Sequence, residues 1–91
     1  MDIKTLEYME QRAKQGRQLV EKIERMKGRI SLAKKSRGID LDVNGGTIRT
    51  SRSNEKQLTE YAAHVEASMI NAFIDVTEAE IKRLEQELAD L

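Results

Sequence analysis

Apolar residues recur at three- and four-residue steps along two long stretches of the chain, and one short segment with a different spacing separates them. In the first stretch this spacing places the apolar side chains on one stripe of an α-helix. Asp2 precedes the stripe as an N-cap, and a basic turn followed by Gly38 ends it. We therefore predict a helix over residues 3–36 with Gly38 as its C-cap. The stripe consists of Leu6, Met9, Ala13, Gly16, Val20, Ile23, Met26, Ile30 and Ala33.

The connecting segment has the pattern of a β-hairpin. Apolar and acidic residues alternate over residues 39–43, and Asn44-Gly45-Gly46 separates them from a run of β-favouring residues. This pattern predicts a hairpin within residues 39–51. A turn at Asn44-Gly45 pairs Leu41 with Ile48, whereas a turn at Gly45-Gly46 pairs Val43 with Ile48. Both registers stay open because each also pairs an aspartate with an arginine.

The second helix is predicted over residues 54–90, and it begins at a capping box formed by Asn54 and Gln57. Its two halves carry offset apolar stripes, Leu58, Ala62, Val65, Met69, Ala72 and Val76 in the first and Ile74, Ile81, Leu84, Leu88 and Leu91 in the second. Where the stripes overlap, residues 69–76 are apolar around most of the helix, which helix 1 alone cannot cover. A homo-oligomer is therefore expected, with an interface at Met69, Ile70, Phe73 and Ile74.

The composition also favours self-association. The chain has 91 residues, 35% of them charged, and only one Phe, which leaves little bulky apolar area for a monomeric core. We predict one domain, residues 1–91, that is mainly α: two long antiparallel helices joined by a short β-hairpin and assembled as a homo-oligomeric helical bundle, with a dimer forming a four-helix bundle as the leading arrangement.

The expected location follows from what the sequence lacks. It contains no Cys and no apolar run of the roughly 20 residues that a membrane span needs, and its first residues do not form a signal-peptide core. A soluble, cytoplasmic protein without membrane partners is expected.

The net charge of zero conceals a strong asymmetry. Residues 1–38 carry 11 basic and 5 acidic side chains, and residues 55–91 carry 3 and 9. The favoured interpretation is that the two helices attract each other within the fold. The alternative is a nucleotide- or nucleic-acid-binding protein that uses the basic surface of helix 1 together with the loop that contains Arg49 and Arg52. The sequence pI near 6.6 and the lack of aromatic residues among the basic ones make this alternative less favoured.

A second cluster of basic residues precedes helix 2. Two glycines, two arginines and several hydroxyl side chains stand just before the predicted helix N-terminus, where unpaired amides and the helix dipole favour anions. Arginine forks add bidentate bonds to phosphate or carboxylate. This pattern predicts an anion-binding site at Arg49, Thr50, Ser51, Arg52 and Ser53. The alternative is a solvated hairpin arm in which Arg49 neutralises an aspartate across the strands.

Other constellations are incomplete. Asp40, Asp42 and Asn44 match the start of an EF-hand calcium loop, but Ser51 stands where a bidentate Glu is required, so a hairpin is preferred to a cation site. His64 is the only histidine, and the sequence shows neither a nucleophile nor further ligands for it. We expect no catalytic residues, no metal site and no cofactor, and a hydrogen-bonding role for His64.

The sequence also has two resemblances to known proteins. The order helix, hairpin, helix in under a hundred residues is similar in outline to prefoldin subunits, which implies a chaperone that presents paired helices from a hairpin platform. The segment from Glu78 to Leu88 resembles the tails of small bacteriophage proteins, which implies an accessory protein that binds a host factor or sequesters a host ligand. The expected function is that of a non-enzymatic, oligomeric binding module, accessory or inhibitor-like, for a protein or an anionic small ligand.

Overall fold

The structure, a computed structural model, describes residues 2–36, 38–50 and 56–91, with the side chains of the second helix described from Glu60 onward. It contains helix α1 (Ile3–Lys34), strands β1 (Asp40–Val43) and β2 (Gly46–Arg49), and helix α2 (Lys56–Ala89). The prediction of a mainly helical chain with two helices joined by a two-stranded antiparallel hairpin is confirmed. The particle is elongated, with extents of 71 × 25 × 17 Å.

The ends of α1 follow local hydrogen bonding. Asp2 is the N-cap, as predicted, and its Oδ1 accepts the amide of Thr5 at 2.7 Å. This bond also holds the pKa of Asp2 below its ordinary value, because the amide favours the charged carboxylate. At the other end the predicted C-cap is wrong: Lys35 caps the helix, and its amide bonds to the carbonyl of Leu32. Gly38 lies three residues further on.

The hairpin takes the first of the two open registers. Leu41 pairs with Ile48 and Asp40 pairs with Arg49, so the turn lies at Asn44-Gly45. Gly45 has a φ of +92°, and it is the one positive φ among the described residues. Glycine adopts this conformation without steric cost, which explains why the turn centres on this position. The side chains of both strands are exposed.

The two helices pack antiparallel. Their core consists of Ile23 and Ile30 from α1 and Ile81 and Leu84 from α2, with Leu19, Met26, Ile74 and Leu88 packed around it. At one end of this pair Arg12 donates a hydrogen bond to the carbonyl of Leu91, and at the other Ser36 lies near Glu66. The core therefore uses the second-half stripe of α2.

Ion pairs do not join the helices in the described part of the chain. The intrahelical pairs are Lys27 with Glu24 and Arg83 with Glu80 and Glu87. The expectation that opposite charges hold α1 to α2 thus finds no direct contact there, and apolar packing carries the association. Neither helix, over the described residues, combines the length and hydropathy needed to cross a membrane.

Candidate functional site

An apolar groove opens where the last turns of α1 pass the middle of α2. Its volume is about 580 Å³, within the roughly 300–1,000 Å³ typical of ligand pockets. Residues 38 and 39, which lead into the hairpin, contribute to its lining, so the groove draws on three parts of the chain. The lining residues are Arg29, Leu32, Ala33, Lys35, Ser36, Gly38, Ile39, Met69, Ile70 and Phe73.

The α2 side of the groove contains the only Phe of the chain. Met69, Ile70 and Phe73 lie three or four residues apart or adjacent, so they share one side of the helix. Phe73 is 41% exposed, and Leu32 on the α1 side is 73% exposed. A buried position would remove these side chains from water, whereas here they face open space and leave an apolar surface available for binding.

The link between α1 and the hairpin is held by a short hydrogen-bond network. The hydroxyl of Ser36 accepts the amide of Gly38 at 3.3 Å, and it lies 3.0 Å from the Gly38 carbonyl and 3.3 Å from Glu66 Oε1, both acceptors for its proton. These contacts connect the link to α2. They fix the end of the groove relative to its helical walls.

Thr50 closes the base of the hairpin. The side chain is buried, its Oγ1 accepts the amide of Ile39 at 2.7 Å, and its own amide donates to the Ile39 carbonyl at 3.0 Å. This reciprocal pair holds Ile39 beside the groove. The hydroxyl of Thr50, one of the predicted anion ligands, is therefore engaged within the fold.

The charged side chains that line the groove are both cationic. Arg29 and Lys35 line it, and neither belongs to an ion pair with another described residue. Further along α2, Glu80 is bound by Arg83, with Oε1 and Nη2 2.6 Å apart. This hydrogen bond lowers the pKa of Glu80 and raises the pKa of Arg83, because each charge stabilises the other. Glu80 and Arg83 lie outside the groove, whose own lining combines apolar side chains with the two cations Arg29 and Lys35.

The predicted oligomer interface falls partly on this groove. Met69, Ile70 and Phe73 line it, whereas Ile74 is half-buried and packs against the core shared with α1. The sequence did not indicate that Arg29, Leu32 and Ile39 belong to the same surface, since they are more than 30 residues away along the chain from Phe73. The predicted role of Met69, Ile70, Phe73 and Ile74 as an oligomer interface stays a prediction.

The predicted anion-binding segment is described only at its start. Arg49 Nε lies 3.8 Å from Asp40 Oδ2 on the exposed surface of the hairpin, which is the cross-strand neutralisation considered as the alternative. Ser51, Arg52 and Ser53 lie outside the described residues, as does the proposed capping residue Asn54. An anion site at this segment stays a prediction.

The residues considered for metal binding have other partners. Asp40 and Asp42 lie in β1, where Asp40 faces Arg49 and Asp42 accepts a hydrogen bond from Thr47 at 3.0 Å. Over residues 2–36, 38–50 and 56–91, no three His, Cys, Asp or Glu side chains converge as metal ligands would. His64 lies exposed on α2, away from the groove.

Comparison of the chain with known protein families, with characterised proteins and with solved structures found no match.

Proposed function

We propose that the chain is a non-enzymatic, self-associating binding module, accessory or inhibitor-like, whose binding surface is the groove between the end of α1 and the middle of α2. The observation that carries this proposal is the position of Phe73, which lines an open groove rather than the core. The exposed two-fifths of Phe73 contributes nothing to the folding of a single chain, and together with Leu32 in the same groove it forms an apolar surface of the kind that marks binding sites.

The accessible surface supports self-association. A compact chain of 10.4 kDa is expected to expose about 5,400 Å², and this chain exposes 7722 Å². Its radius of gyration is 20.1 Å, where about 12 Å is expected for a compact domain of this length. The excess of roughly 2,300 Å² is comparable to what one chain of an obligate dimer loses to its partner.

The groove's chemistry defines the class of ligand. Leu32, Ile70 and Phe73 offer apolar contacts, and Arg29 and Lys35 offer positive charge at the rim. Such a surface fits a molecule with an apolar body and an anionic group, either a protein segment with apolar and acidic side chains or a small amphipathic anion. Retention of such a ligand is the action expected of an inhibitor-like or accessory protein.

Self-association is tested by sedimentation velocity across a concentration range of about 1 to 100 µM, where the proposal expects an oligomer that dissociates on dilution. A folded monomer over the whole range contradicts it.

The groove is tested with anilinonaphthalene sulfonate, an aromatic probe that carries one sulfonate. Titration monitored by fluorescence should show binding that Arg29→Gln weakens by about tenfold to a hundredfold, since a charge-assisted contact is typically worth about 1.5–3 kcal/mol. Lys14→Gln is the matched control, because it removes the same charge from α1 outside the groove. Equal binding by both variants contradicts the assignment of the site.

A second candidate function is nucleotide or nucleic-acid binding by α1. Lys14, Lys22, Arg25 and Arg29 follow one row of that helix at steps of eight, three and four residues. Among the described residues of α1, Lys27 is the cation engaged in an ion pair. Fluorescence anisotropy with a labelled oligonucleotide supports this candidate if affinity falls steeply with salt and Arg25→Gln weakens it.

A further inference from the structure

A second apolar stripe runs along α2, separate from the one that packs on α1. Its residues follow one another at steps of three, four, three, four and three, which is the heptad spacing of a coiled coil. We call this stripe the α2 seam; it consists of Ala62, Val65, Met69, Ala72, Val76 and Ala79.

The α2 seam is not part of the intramolecular core. The core stripe of α2 runs through Ile74, Thr77, Ile81, Leu84 and Leu88. At 100° per residue the two stripes point about 130° apart around the helix axis. Ala72 and Ala79 are exposed, Val76 is 70% exposed, and Ala62, Val65 and Met69 are half-buried. α2 therefore has the pattern of a helix with neighbours on two sides, and α1 supplies one of them.

We propose that the occupant of the α2 seam is the α2 helix of a second copy of this chain, packed antiparallel. The proposal rests on the self-association proposed above and assigns it a surface and an orientation. With the two-fold axis between Ile70 and Asn71, Val65 meets Val76 of the second copy and Ala62 meets Ala79. Met69 meets Ala72, so the largest side chain of the seam faces one of the smallest, as close packing requires.

The charges beside the seam select the antiparallel orientation. In a parallel pair each residue of the α2 seam faces the equivalent residue of the second copy. Arg83, one heptad after Val76, would then face Arg83 of the second copy. Such a pair would also bring Asp75 beside Glu80 of the second copy, because these are flanking positions that meet across a parallel seam. Both contacts place like charges together, which is destabilising.

The antiparallel pair avoids these contacts. Its flanking positions bring Ser68 to Asp75 and Tyr61 to Lys82 of the second copy, each a hydrogen-bonding combination. Glu66 then lies beside Phe73 of the second copy, and no like charges meet at these flanking positions. The hydrogen-bonding pairs at the flanking positions, together with the excess accessible surface of the single chain, favour a second copy as the occupant.

The absence of cysteine from the chain makes disulfide trapping a clean test. Val65→Cys and Val76→Cys chains are prepared separately, then oxidised alone and as an equal mixture. In the antiparallel pair the two cysteines of unlike chains face each other, whereas cysteines of like chains lie about 16 Å apart along the axis, beyond disulfide reach. Covalent dimers are expected in the mixture and not in either variant alone.

Ala67→Cys and Glu78→Cys form the matched control, since both positions are exposed on α2 away from the seam and are also 11 residues apart. Their mixture should give no more covalent dimer than either alone. Crosslinking of Val65→Cys or Val76→Cys by itself indicates a parallel pair and overturns the proposal.

Sedimentation separates this proposal from the proposed function. If the reduced cysteine variants and the unmodified chain are dimers but the mixture does not crosslink, the second copy does not pack on the α2 seam, and the proposed self-association stands. If the unmodified chain is a monomer throughout, both fail. Ala72→Lys provides a second test because Ala72 is exposed and outside the core. Helicity measured by circular dichroism should be unchanged, while the dissociation constant of the dimer should rise at least tenfold. An unchanged dissociation constant overturns the proposal.

Discussion

Replacement of Phe73 by Ala gives two different energies according to whether the groove is covered. Truncation of a fully packed Phe costs about 3–5 kcal/mol. In the single chain Phe73 is 41% exposed, so about three-fifths of that contact is present. The expected loss of unfolding free energy is therefore about 2–3 kcal/mol for an isolated chain and the full 3–5 kcal/mol where a partner covers the ring.

These two cases are distinguished by unfolding measurements at two concentrations. Urea denaturation is followed by circular dichroism at about 1 and about 100 µM protein. This hundredfold rise in concentration stabilises a dimer against unfolding by about 2.7 kcal/mol, whereas the stability of a monomer does not depend on concentration. The unmodified chain should gain stability with concentration, and Phe73→Ala should gain less.

Leu84→Ala is the control for this experiment. Leu84 is 1% exposed within the core of a single chain, so its truncation should cost about 2–5 kcal/mol by weakening the packing of α1 on α2. Because Leu84 lies away from the groove, this variant should retain the concentration dependence of the unmodified chain. A midpoint independent of concentration in the unmodified chain, together with a Phe73→Ala loss of only about 2–3 kcal/mol, would show that no partner covers the ring.

Further predictions concern the helices and the hairpin. Gly28→Ala should raise the midpoint of thermal unfolding by stabilising α1 by about 1 kcal/mol, since among the described residues no atom outside the adjoining turns of α1 lies within 4 Å of an added Cβ; an unchanged or lower midpoint contradicts this. Gly45→Ala should lower stability by about 1 kcal/mol because alanine is strained at a φ of +92°, measured in the same assay. Arg49→Ala should cost at most about 1 kcal/mol, since its ion pair is exposed; a larger loss in urea denaturation would indicate an additional contact. The lowered pKa of Glu80 stabilises the fold at pH values above the carboxyl pKa of the unfolded chain, and this contribution is lost as the pH falls through the lowered pKa. Glu80→Gln should therefore flatten the decline of the melting temperature between neutral pH and pH 3.

The helical hairpin follows from local signals in the sequence. The three- and four-residue apolar spacing, the Asn-Gly turn and the Asp2 cap each depend on residues within one or two turns of one another. These local signals were enough to predict the order of the elements and the two offset apolar stripes on α2. The predicted C-cap at Gly38 was wrong because the last turn of α1 closes by bonds from Lys35 and Ser36 to carbonyls three residues back.

The surface that stays open depends instead on tertiary packing. Both stripes of α2 are apolar, and the choice of Ile74, Ile81 and Leu84 for the core depends on their fit against Ile23 and Ile30 of α1. The hairpin register was likewise undetermined, since both alignments paired apolar and charged residues equally well. The groove joins residues separated by more than 30 positions, so its lining by Arg29, Ile39 and Phe73 follows from antiparallel packing and the Thr50 closure, which no local pattern specifies.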